Sequence, residues 1–137
     1  MEKLPKINII YEDNHLLVVE KPVNIPVQED ISQDIDMITL LKKYRIKKEN
    51  KKGDAYIGLV HRLDRPVGGI MVFAKTSKAA SRLSEEIRNN NFHKKYIAVI
   101  QGTMPKEGKL EDYLIKDNNK NISYIATKDK GKYSALE

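Results

Sequence analysis

A carboxylate flanked by two guanidinium groups sits within His61-Arg62-Leu63-Asp64-Arg65, and Pro66-Val67-Gly68-Gly69 follows at once. The proline and paired glycines mark a turn. The runs on either side, Ile57-Gly58-Leu59-Val60 and Ile70-Met71-Val72-Phe73-Ala74, read as an incoming and a returning strand. Asp64 therefore falls on a loop at a strand end, where sheet proteins hold reactive groups on a rigid frame. Two roles are open to such a carboxylate: a structural ion pair, or nucleophilic and general-base chemistry in its ionised form. Arg62 faces a similar choice. Its planar guanidinium either pairs with an acid or stacks on bases and donates to phosphates and base edges.

Composition narrows the chemistry. The 137 residues include no cysteine, which excludes disulfides, thiolate metal sites and cysteine nucleophiles. His15, His61 and His93 are too scattered for a zinc motif, so neither a metal nor another cofactor is expected. A net charge of +6 and a pI near 9.4 suit a polyanionic partner. Lysine pairs at 42–43, 47–48, 51–52 and 94–95 spread that charge along the chain instead of gathering it in one tail. The alternative is a basic surface that serves only solubility. No apolar stretch is long enough to span a bilayer, and Met1-Glu2-Lys3-Leu4-Pro5 has no signal-peptide core, which makes the cytoplasm the default expectation.

Residues 7–11 and 16–20 read as strands of a hairpin turned by Glu12-Asp13-Asn14-His15. Lys21-Pro22-Val23-Asn24-Ile25-Pro26-Val27, with two prolines, reads as an extended loop. A helix is predicted over 36–46 with Asp36 as N-cap, followed by a mobile, charge-rich loop over 47–54. A second helix over 77–90, capped by Thr76 or Ser77, carries Ala80, Leu83 and Ile87 as a core stripe. Tyr96 to Ile100 reads as a buried strand ended by Gly102, with further strands over 110–115 and 122–127 and the start of another at the C-terminus. Strands joined by hairpins and by helices imply an α+β fold with a mixed, mainly antiparallel sheet and flanking helices.

The HRLD segment, the helix opening at Lys75-Thr76-Ser77-Lys78-Ala79-Ala80 and the later Lys94-Lys95-Tyr96 resemble, in that order, the large-subunit-type RNA pseudouridine synthases of the RluA family. The resemblance covers about residues 9–102 and is weaker beyond. It implies an RNA-modifying isomerase acting on rRNA or tRNA, with Asp64 as the essential aspartate and Tyr96 as an active-site tyrosine packing against uracil. Without the resemblance, Tyr96 reads as a strand aromatic in the core. A stacked uridine must be extruded into a pocket, and Arg62 could fill the vacated place. Whether Asp64 acts as nucleophile or as base stays open. A K-P pair in the family borders the active site, but Lys21 reads equally as a solvated strand-end charge and is left out of the catalytic set.

Two departures are visible. Where relatives commonly have a D-T-S-G-like turn, this chain has Pro66-Val67-Gly68-Gly69, which removes hydroxyls from the turn. The family's TGRxHQIR-like motif, whose arginine pairs with the aspartate, has no match here. The expectation is a single partial catalytic domain over 1–137, without a preceding S4-like domain, lacking its C-terminal part and inactive alone. The rival reading is a noncatalytic RNA-binding module with a structural Asp64.

Overall fold

The computed structural model describes residues 5–137; Met1 to Leu4, part of the stretch read for a signal peptide, lie outside the described residues. The chain forms two compact units, which meet in sequence between Lys95 and Tyr96. Among the described residues they hold nine elements: β1 (Asn8–Glu12), β2 (Leu16–Lys21), α1 (Met37–Lys48), β3 (Gly58–Leu59), β4 (Gly69–Ala74), α2 (Ser77–Arg88), β5 (Leu110–Asp117), β6 (Ile122–Ala126) and β7 (Lys132–Leu136).

In the first unit the sheet runs β1-β2-β4-β3, with every pairing antiparallel. Strand alternation places Leu17, Val19 and Lys21 on one face of β2, all buried, opposite Phe73, Met71 and Gly69 of β4. Met37 and Leu41 of α1 close the core over this face, with Val27 and Ile57 at its margins. Each fully buried large apolar side chain contributes roughly 1.5–3 kcal/mol, which makes this small core the main anchor of the unit.

The predicted N-caps are present. Asp36 Oδ1 accepts from Thr39 N–H at 3.1 Å, and Thr76 Oγ1 accepts from Ala79 N–H at 3.1 Å. Lys47 and Lys48, expected in the charged loop, complete α1 instead. The segment after it is tied down by pairs such as Arg45–Glu49 at 2.8 Å and Lys42–Asp54 at 2.7 Å. Burial opposes ionisation of Glu12, yet hydrogen bonds from Lys48, Lys75 and Tyr44 outweigh it and hold that carboxyl at about 2. Glu12 thereby clamps α1 to the sheet at the end remote from Lys21 and Gly69.

The stripe on α2 is less covered than its spacing implies. Ala80, Leu83 and Ile87 are each only partly buried, and Leu83 lines an open cavity of about 400 Å³ together with His15, Lys78 and Arg82. No helix among the described residues is long and apolar enough to cross a membrane.

The second unit is a three-stranded antiparallel sheet ordered β6-β5-β7. Tyr113 and Tyr133 face each other edge to face, with centroids 5.8 Å apart. The predicted strand over 96–100 is absent, and Ile97 and Val99 are fully exposed. An apolar β-branched run becomes a strand only when a neighbour completes its ladder. Among the described residues, 96–100 find none.

Candidate active site

The loop from Val60 to Gly68 connects β3 to β4 and is fastened at both ends. The ladder between the strands stops at Leu59 and Phe73. His61 then takes over, its Nε2 accepting from Val72 N–H of β4 at 3.0 Å. An accepting Nε2 carries no proton, so the imidazole is neutral with its proton on Nδ1. Its ring packs against Phe92 at 5.3 Å. Burial lowers the His61 pKa, and the nearby Lys94 charge lowers it further.

A depressed folded-state histidine pKa adds stability that is full above the unfolded value near 6.5 and lost as pH falls through the folded value. Denaturant unfolding between pH 7.5 and 5 is therefore expected to show stability falling on acidification, with a slope of up to one proton from His61. In His61→Asn that part of the slope should vanish. A wild-type and a variant profile with the same slope would show that His61 does not titrate with folding.

The turn itself is closed by Val67 N–H donating to Asp64 O at 3.0 Å, across Arg65-Pro66. Beneath it lies Lys21, only 1% exposed, so the solvated strand-end reading is incorrect. The alternation Leu17–Val19–Lys21 turns this side chain inward, and Gly69 opposite contributes no side chain to crowd it. Its ammonium donates to Pro22 O at 3.1 Å, Arg65 O at 3.1 Å and Val67 O at 2.7 Å. Burial lowers the Lys21 pKa, and the negative charge of Asp64 works against that shift. Asn24 N–H donates to Arg65 O at 2.8 Å as well. Gly68 lets the loop lie this close: a Cβ there would sit 3.2 Å from both Lys21 O and Val23 Cγ1. Gly69, at φ +148°, takes a conformation that side chains rarely adopt.

Arg62 and Asp64 share this loop and are both exposed. Among the described residues, neither takes part in an ion pair. The arginine that pairs is Arg65, which reaches Asp30, Ser32 and Asp34. Tyr96 is the first residue of the second unit and is 57% exposed. Sequence reasoning missed Lys21, Arg65 and His61 as structural supports of the loop. For Lys21 the signal was there, in the period of two that places it on the core face.

Among the described residues no group of three or more His, Asp or Glu converges as it would around a metal ion. The loop presents an exposed carboxylate on a pinned turn, with a guanidinium two residues away that is unpaired among the described residues.

Comparison with known proteins places this chain in a family. The sequence model described as RNA pseudouridylate synthase matches residues 15–137. Ribosomal large subunit pseudouridine synthase C of Buchnera aphidicola is 34% identical over 115 residues, covering 83% of this chain and 35% of that protein. Ribosomal large subunit pseudouridine synthase D of Borreliella burgdorferi is 30% identical over 135 residues, covering 96% of this chain and 41% of that protein. The chain thus spans well under half the length of these relatives. A solved structure, human RNA pseudouridylate synthase domain containing 4, superposes with a TM-score of 0.68 at 18% identity, over 93% of this chain and 51% of that one, and shows the shared fold. The family match extends across both units, from ahead of β2 through β7, and on that ground the chain belongs to the RNA pseudouridylate synthase family.

Proposed function

We propose that this chain carries the reactive aspartate of an RNA pseudouridine synthase acting on rRNA or tRNA, with Asp64 as the catalytic residue. The observation that carries the reading is Asp64 itself: an exposed carboxylate, unpaired among the described residues, on a turn pinned to the core, in a chain of this family. An aspartate kept for structure would be expected to hold an ion-pair partner. Arg65 plays that structural part with other acids.

The isomerisation breaks the N1–C1′ bond of uridine, turns the retained uracil and joins C5 to C1′. Atoms and electrons balance within the substrate, so no redox partner or group donor enters. An ionised Asp64 serves as nucleophile at C1′ or the base, or as base toward a sugar proton, and each route needs the accessible carboxylate seen here. Arg62 is placed on the same loop to occupy the space left by the flipped nucleotide and to meet bases or phosphates. Tyr96 is assigned to pack against the uracil ring. In the second unit, Lys116, Lys130 and Lys132 line a concavity of about 370 Å³ with Ser123 and Ser134, a donor set suited to RNA phosphates.

The test is to incubate the full-length protein and the 137-residue chain separately with rRNA and tRNA and to map the pseudouridines formed. The full-length protein is expected to form them at defined sites. The 137-residue chain alone is expected to form none, because among the described residues no arginine or lysine pairs with Asp64 to orient it. No product from the full-length protein on either RNA would overturn the assignment. Equal product from both would show that residues 1–137 hold a complete site.

A further inference from the structure

We propose that Arg65 is a positioning residue for the reactive loop and that the segment it grips, residues 30–34, belongs to the active site. The inference rests on the reading of Asp64 as the reactive group. Lys21 and Asn24 hold the backbone of Arg65 and Val67 from the core side. On the other side, the Arg65 side chain donates to Ser32 Oγ at 3.0 Å, pairs with Asp34, and lies 3.8 Å from Asp30 Oδ2.

Residues 30–34 are folded to make this contact. Ser32 N–H and Oγ–H both donate to Asp30 Oδ1, at 2.8 and 2.5 Å, and Asp34 N–H donates to Ser32 Oγ at 3.2 Å. Gln33, at φ +58°, turns the chain, and its N–H donates to Asp30 O at 3.2 Å. Acceptors at three alternate positions thereby converge on one guanidinium. Arg65 in turn holds the Asp34 carboxyl below its ordinary range.

The latch has two consequences for Asp64. It fixes the far side of the turn whose near side Lys21 fixes. It also occupies the guanidinium next in sequence to the reactive carboxylate. A free Arg65 would compete with the cation that orients Asp64 and would draw the carboxylate out of its reactive geometry. Exposed ion pairs contribute little to global stability, so the latch should act on geometry and not on folding.

Kinetics of the full-length protein on its RNA, run with Asp64→Asn as a control, test the proposal. Arg65→Gln and the double variant Asp30→Asn/Asp34→Asn are each expected to lower kcat about tenfold with KM nearly unchanged, and combining them should add little further loss. Amide exchange at Val67 and Asn24, measured on the 137-residue chain, should speed up in both variants. A wild-type kcat in both, beside an inactive Asp64→Asn, would overturn the proposal and leave the assigned function standing. A rise in KM alone would mean that Arg65 binds RNA directly, and it too would overturn the positioning role. Should Asp64→Asn stay active, the functional reading falls. Exchange at Val67 and Asn24 then decides by itself whether Arg65 holds the loop, and unchanged rates would refute the latch.

Discussion

Asp64→Asn is expected to lower pseudouridine formation by the full-length protein about 10³-fold or more, while its melting temperature and RNA affinity stay near wild type. The amide keeps the shape of the side chain and removes the ionised oxygen that attack or proton transfer requires. Little else should change, because the Asp64 side chain is exposed and, among the described residues, holds no ion-pair partner. The hydrogen bond that closes the turn uses the Asp64 backbone carbonyl, which the variant retains. Tritium release from RNA labelled at C5 of uridine measures the turnover. Release near the wild-type rate would remove Asp64 from the catalytic role.

Lys21→Met is expected to have the largest effect on stability, a loss of about 3 kcal/mol, together with loss of turnover. Methionine fits the space along β2 but offers no donor to Pro22 O, Arg65 O and Val67 O, which all converge on the ammonium. Hydrogen bonds from a charged group are worth about 1.5–3 kcal/mol each, and shielded acceptors that lose their partner cost a similar amount, although Arg65 O keeps the Asn24 N–H. Part of the loss is offset by no longer burying a charge. A positive charge that acts on Asp64 through space disappears as well. Urea unfolding compared with Lys21→Arg separates the effects, since arginine keeps the charge and donors but not the length. A melting curve of Lys21→Met matching wild type would show that the three carbonyls find water and that the lysine is dispensable to the fold.

Much of the first unit could be read along the chain. The hairpin of β1 and β2, both helices with their caps at Asp36 and Thr76, and the strands flanking the HRLD segment follow from turn residues, cap chemistry and alternation, all of which act over a few residues. Tyr96 to Ile100 shows where local reading fails. The run has the composition of a strand, yet strand formation depends on a neighbour distant in sequence, and among the described residues it has none. The stripe on α2 fails for the same reason. Spacing shows which residues share a face but not what covers it, and Leu83 lines an open cavity.

The sequence by itself determined the reactive candidate and its setting: an aspartate on a strand-end turn, between arginines, in an order of motifs that resembles one family. These are properties of residue type and short spacing, so they survive without coordinates. Only the tertiary structure decided what each cation does. Of three basic side chains in or near the loop, Lys21 is buried beneath the turn, Arg65 is taken by residues 30–34, and Arg62 is left unpaired among the described residues. The charges look alike in sequence. Their roles diverge because burial and ion pairing depend on partners 31 to 46 positions away, brought within 4 Å only when the sheet forms.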